Sequence, residues 1–378
     1  MKILLINYEY PPLGGGAGNA TKNIARELVA LGHVVLVLTT WFSGESEDET
    51  VDGVRIIRVK SRRRRRDRSS PLEMLDFVIK ANARLDEIAT TFKPYGCISF
   101  VAIPSGLVAR KLFQKHGVPY IVSLRGGDVP GFLPRDLWLL HVFSAPLTRL
   151  VWRDANRIVA NSHNLQELAE RTAKRWGKSV DYIPNGVDAN TFKPIDMSRG
   201  DKFFRVLCSG RLVSQKRIDW LLTACREIID ARPELALHLR CEILGDGPLL
   251  EILTVRAATL GLGGIVQFSG WIDRAALPRR YAENDVFVLP SSEEGMPNVV
   301  LEAMATGLPI VVANFHGSDE LVIHEKNGFI FSESNELAPL LVRLLDDELL
   351  RAQFGRESRI LATKFNWAKI AAEYAGLL

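Results

Sequence analysis

Two carboxylates, Glu294 and Glu302, stand eight positions apart in a segment suited to ligand chemistry. Gly295, Pro297 and Asn298 lie between them, the apolar run Val286–Leu289 leads in, and Ala303, Met304 and Ala305 follow. This pattern predicts a strand, a loop carrying Glu294, and a helix with Glu302 near its first turns. Pro297 fits the first helical position, where its missing N–H is not needed. A carboxylate accepts two hydroxyl hydrogen bonds in fixed geometry, which suits a hydroxyl-rich ligand. The free amides of a helix start favour an anionic group such as phosphate. A ligand carrying both sugar hydroxyls and phosphate matches the pairing. Two cations, Arg211 and Lys216, follow another apolar run, Phe204–Ser209. They suit a diphosphate, arginine through its fork and lysine as a point charge. Gly14, Gly15 and Gly16 follow the first apolar run, where glycine lets the backbone approach a ligand closely.

Such groups need elements to hold them. Strands are predicted at Ile3–Ile6, Val34–Leu38, Val54–Val59, Cys97–Phe100, Tyr120–Ser123 and Arg157–Ala160. A second series runs through Phe204–Ser209, Leu239–Leu244, Ile265–Phe268, Val286–Leu289 and Ile310–Ala313. Amphipathic stretches such as Thr21–Leu31 and Leu72–Phe92 alternate with them, a pattern that implies parallel sheets covered on both faces. The fold class is α/β, with two Rossmann-like doubly wound domains. Periodicity fails across Phe192–Lys202, which sets the domains at residues 1–192 and 203–364. Ligands of open α/β sheets bind at the carboxyl ends of the strands, and a cleft between the domains is the expected site.

Six segments in order, residues 183–194, 209–219, 244–248, 290–305, 306–312 and 317–331, resemble the retaining glycosyltransferases of family 4, whose E-x7-E signature matches Glu294 and Glu302. The resemblance implies the GT-B architecture, with the helix at 365–378 packing back on the first domain. It implies donor binding by Arg211, Lys216, Glu294, Gly295, Asn298, Val299, Glu302, Gly15 and Gly16. Within that set Arg211 and Lys216 would hold the diphosphate, Glu302 the ribose hydroxyls and Glu294 the transferred sugar. Catalysis would rest on Glu294, Lys216 and Arg211, with charge stabilisation of the departing diphosphate the largest electrostatic demand. The expected reaction moves a sugar from a nucleoside diphosphate sugar, with UDP as the expected nucleotide, to a saccharide or lipid-linked saccharide, retaining the anomeric configuration. The expected setting is glycan synthesis in the cytoplasm, with peripheral attachment to the inner leaflet. A non-catalytic sugar-nucleotide-binding subunit is the alternative.

Arg125 stands where relatives often carry histidine, which puts sugar selection in question because arginine brings a permanent charge and a different reach. Asp128 suits either an acceptor-side hydroxyl or a loop cap. A dinucleotide fingerprint at Gly14 fails, since Asn19 replaces the third glycine and no acid ends the second strand. None of the seven histidines joins a ligand cluster, so no metal or other cofactor is expected. The run Arg62–Arg66 with Arg68 reads as a solvated loop or as a patch for an anionic membrane surface. No aromatic residues interleave it, and the net charge is only +4, so nucleic acid is not an expected partner. At 378 residues the chain can bury two sizeable cores, and Cys97, Cys208, Cys225 and Cys241 lack metal or redox spacing and read as reduced thiols.

Overall fold

The computed structural model describes the chain except residues 67–68, 133–137 and 196–199, and the side chains of 138–140. Arg68 of the arginine run and part of the expected interdomain break therefore lie outside the described residues. The chain divides into two compact units, Met1–Gly186 with Trp367–Leu378, and Val187–Asn366.

The first unit holds β1 (Lys2–Ile6), β2 (Val34–Thr40), β3 (Asp48–Val51), β4 (Val54–Val59), β5 (Gly96–Phe100), β6 (Tyr120–Leu124), β7 (Arg157–Ala160) and β8 (Val180–Tyr182). They form an eight-stranded sheet in the order 3-4-2-1-5-6-7-8, parallel except where β3 runs back along β4. Successive β1 residues alternate between two cores, as the period of a strand requires. Leu4 and Ile6 pack under α2 (Pro71–Ala83), α4 (Ser105–His116) and α5 (Trp138–Asp154). Ile3 and Leu5 pack under α1 (Gly16–Ala30) and α13 (Trp367–Gly376). The helix α1 begins five residues before the predicted Thr21, because its first turn is built from small residues that carry no apolar period. The predicted Leu72–Phe92 helix is broken after Ala83: α3 (Leu85–Glu87) and a wider turn at Ile88–Phe92 follow. The helix α6 (His163–Ala173) joins β7 to β8.

The second unit alternates β9 (Phe204–Ser209), α7 (Ile218–Ala231), β10 (Leu239–Leu244), α8 (Leu250–Thr259), β11 (Val266–Gly270), α9 (Leu277–Ala282), β12 (Val286–Leu289), α10 (Asn298–Thr306), β13 (Ile310–Ala313) and β14 (Gly328–Phe331). The helices α11 (Ser334–Asp346) and α12 (Glu348–Ala362) complete it. Its sheet is parallel throughout, in the order 11-10-9-12-13-14. The first unit ends at Gly186 rather than at residue 192, because Val187 and Phe192 bury their side chains in the second unit's core with Tyr281 and Leu301. The described thiols Cys97, Cys208, Cys225 and Cys241 are all buried, and burial pushes that of Cys208 up to about 12.

Candidate active site

The second unit gathers its charged groups at the carboxyl ends of β9 and β12. After β9 the chain makes a sharp turn through Gly210 and Arg211, with Gly210 N–H donating to the Leu244 carbonyl and Leu212 N–H to that of Asp246. The glycines of residues 244–248 exist for this turn. A Cβ at Gly245 would fall inside the radius of the Gly210 carbonyl oxygen, and one at Gly247 would strike the Leu212 backbone. A short helical turn, Ser214–Lys216, comes next, and Arg217 ends it in the left-handed region at φ 45°. That conformation is unusual for a residue with a Cβ. It sends the Arg217 guanidinium over the Trp220 ring, 4.4 Å from its centre, and leaves Lys216 beside the next loop.

That loop follows β12. Ser292 N–H donates to the Gln215 carbonyl at 2.8 Å, and the Gln215 side-chain amide donates to the Glu293 carbonyl. Thus fastened, Lys216 Nζ and Glu294 Oε1 meet at 2.5 Å, both side chains nearly buried. The helix α10 starts at Asn298, with Pro297 one residue before the expected position, because its ψ of 109° is extended rather than helical. No acid sits in the first turn of this helix, and the Val300 N–H donates to the Pro297 carbonyl at 3.1 Å. Asn298 opens the helix, Val299 is half-buried beside it, and Gly295 is part of the connecting loop. Arg211 is exposed on the β9 turn.

Glu302 is buried rather than on the helix surface. Its two oxygens accept from Tyr281 Oη at 3.1 Å and Arg274 Nη1 at 3.2 Å. Burial raises its pKa above the ordinary carboxylate value, and Arg274 and Tyr281 oppose that rise. Neither Arg274 nor Tyr281 was identified as a Glu302 partner from sequence. They approach from residues 28 and 21 positions away, a distance at which no local spacing reports contact.

The first unit holds the remaining predicted groups. Gly14 adopts φ 78° over the Glu9 side chain, so a Cβ there would collide with the carboxylate. Gly15 precedes α1 with open space where a Cβ would stand, and Gly16 is the first residue of that helix. The arginine run is not a free loop. Arg66 accepts at its carbonyl from Gly14 N–H at 2.9 Å and from Arg63 Nη2 at 3.3 Å. The Arg63 side chain is only 1% exposed, lies 3.4 Å from Glu9 Oε1, and sits over the Tyr8 ring. Arg125 and Asp128 are not joined to the glycine loop by these contacts. The Arg125 guanidinium lies over Phe100, donates to Asn185 Oδ1 and reaches Tyr374 Oη at 3.4 Å. Asp128 accepts from the backbone N–H groups of Arg125, Gly126 and Ala102, which is the loop-cap geometry. Burial raises its pKa against these donors. Among the described residues no three His, Cys, Asp or Glu side chains gather as metal ligands.

A glycosyl transferase 4-like domain model matches residues 15–186, and a model of the glycosyl transferases group 1 matches residues 204–347. The UDP-Gal:alpha-D-GlcNAc-diphosphoundecaprenol alpha-1,3-galactosyltransferase of Escherichia coli is 33% identical over 283 residues, 70% of each chain. The chain belongs to the group 1 glycosyl transferases. This glycosyltransferase is also similar to the GDP-mannose-dependent alpha-(1-6)-phosphatidylinositol monomannoside mannosyltransferase of Mycobacterium tuberculosis, 27% identical over 402 residues that cover 100% of this chain and 98% of the other. Sucrose-phosphate synthase from Thermosynechococcus elongatus has a similar structure, with a TM-score of 0.84 at 22% identity over 100% of this chain and 98% of that one. The fold of this glycosyltransferase is GT-B, and no described helix is long and apolar enough to cross a membrane.

Proposed function

We propose that this glycosyltransferase takes a sugar from a nucleoside diphosphate sugar, with UDP as the nucleotide, and places it on a hydroxyl of a lipid-linked saccharide with retention of anomeric configuration. The observation that carries this reading is the nearly buried Lys216–Glu294 pair at 2.5 Å, on the loop that leads into α10 with its buried Glu302. In the proposed roles Glu302 accepts the ribose hydroxyls, Lys216 and Arg211 take the diphosphate, and Glu294 orients the transferred sugar. The bond from the anomeric carbon to the diphosphate oxygen breaks, and the bond to the acceptor oxygen forms on the same face. The acceptor proton passes to the departing phosphate. Lys216 and Arg211 stabilise the charge that grows on that phosphate, which is the task otherwise given to a divalent cation. UDP and a lipid-linked acceptor are supported by the name of the Escherichia coli relative. Donors with guanine are the main competitor, given the mannosyltransferase relative.

The test is release of nucleotide from a panel of UDP-, GDP- and ADP-sugars, with Lys216→Ala and Glu294→Ala as controls. Slow release from a UDP-sugar, abolished in both variants and unchanged by EDTA, is the expected result. Binding of no nucleoside diphosphate at all in calorimetry would overturn the reading. Tight binding without turnover on any acceptor would favour a binding subunit.

A further inference from the structure

The outward faces of α2 and α5 are apolar where a surface helix ordinarily carries charge. On α2, Phe77 and Ala81 point into the core, while Leu72, Leu75 and Ile79, spaced along one stripe, are exposed, Leu72 by 77%. On α5, Val142 and Phe143 are exposed, the latter by 78%. The helix α4 packs against both, and all three helices bury their inner residues in one core, so both apolar stripes lie on one side of the sheet. Scattered exposed apolar residues are ordinary, but a rimmed patch of them marks an interaction surface.

The rim is the arginine strap. The backbone amides of Arg62 and Arg64 donate to Asp76 and Glu73 on α2. Those acids therefore fix the strap to the helix through its backbone and leave the guanidiniums free of them. Among the described residues no carboxylate lies within ion-pair distance of Arg62, Arg64, Arg65 or Arg66. Arg63 is the anchor, folded inward against Glu9 and the Arg65 and Arg66 carbonyls. Four exposed cations on a pinned backbone, Arg66 among them with its guanidinium over the Phe42 ring, thus adjoin an apolar helix face. Apolar side chains in that setting suit the boundary of headgroups and acyl chains, and guanidiniums suit lipid phosphates.

We propose that the outer side of α2 and α5 docks on an anionic lipid bilayer, with Arg62, Arg64, Arg65 and Arg66 engaging lipid phosphates and the apolar stripes entering the interface. This goes beyond the transfer reaction and does not depend on the donor. It also gives the strap's bond to the Gly14 turn a consequence, since the glycine loop is then held at a fixed place relative to the membrane surface.

Flotation of the full chain with phosphatidylcholine vesicles, with and without phosphatidylglycerol, tests the docking. The expected result is binding only with the anionic lipid, weakened by salt. Each cation near an anionic leaflet strengthens binding about fivefold, so R62Q/R64Q/R65Q/R66Q should bind on the order of 1,000-fold more weakly. The variant L72Q/L75Q/I79Q/F143Q, with its charge intact, should also bind measurably more weakly. All eight side chains are exposed, and thermal unfolding matching the parent excludes misfolding. Failure of the parent to float, binding unchanged in both variants, or full displacement by soluble glycerol phosphate would overturn the proposal. So would a dimer in sedimentation that the apolar variant abolishes while no flotation occurs. Flotation reads nothing of sugar transfer, so failure of one reading leaves the other standing.

Discussion

Lys216 and Glu294 satisfy each other until a ligand enters. In the proposed roles a diphosphate competes with Glu294 for the Lys216 ammonium, and weakening of that pair leaves Glu294 Oε1 able to accept from a sugar hydroxyl. Glu294→Gln should therefore keep or tighten binding of a free nucleoside diphosphate while cutting transfer on the order of 100-fold, a split that calorimetry and turnover together would reveal. Lys216→Ala should behave differently. It strands a nearly buried carboxylate, costing about 3 kcal/mol in thermal unfolding, and weakens nucleotide binding as well. At Glu302 the relevant variable is pH. Its folded pKa is raised, so the folded chain holds more protons than the unfolded chain between the ordinary carboxylate value and the raised one, and stability falls as pH rises through that window. In the proposed role the ribose hydroxyls need the ionised form, so nucleotide affinity should drop as pH is lowered through the raised pKa of Glu302, beyond any drop caused by the nucleotide's own phosphate. Glu302→Gln should show weaker binding with that extra dependence gone.

Elements place these residues by close backbone approach as much as by side chains. Gly245 at φ 125° lies against Gly210, and Gly247 against Leu212, so β10's exit loop braces the turn that carries Arg211 and Lys216. Gly245→Ala should destabilise the second unit by more than about 3 kcal/mol in thermal unfolding and weaken nucleotide binding, although residue 245 touches no proposed ligand group. The sequence displayed the glycines but not what they press on, because that contact joins segments about 35 residues apart. The apolar strands were legible for the opposite reason, since a strand buried on both faces writes a continuous apolar run. Asp48–Val51 wrote none: it is a polar, mostly exposed edge strand whose partner is supplied by the chain itself across a turn. Val180–Tyr182 was too short to register, and Gly328–Phe331 lay unnoticed as a strand within a segment noted for its family likeness. Glu294, Glu302 and Lys216 were visible as types and spacings. The 2.5 Å pairing, the partners of Glu302 and the inward turn of Arg125 depend on tertiary contacts.

At the scale of the whole molecule, the first unit is discontinuous, completed by α13 after the entire second unit has intervened. Trp367, Ile370 and Tyr374 are buried in its core, and Tyr374 Oη meets Ser123 Oγ at 2.7 Å. Each large apolar side chain removed from that face forfeits about 1.5–3 kcal/mol of burial. Deleting residues 367–378 should therefore melt the first unit while the second retains its own transition, which calorimetry would show as the loss of one unfolding peak. The same arrangement sets an order of events on the ribosome. At about 5–20 residues per second, the second unit takes on the order of ten seconds to emerge, and during that interval Phe100, Ile121 and Val159 lack their cover. The core of the first unit is completed only once translation has passed the α13 codons. A ribosome that stalls within the second half leaves a chain whose first unit lacks α13, so synthesis itself withholds the finished first unit from truncated products.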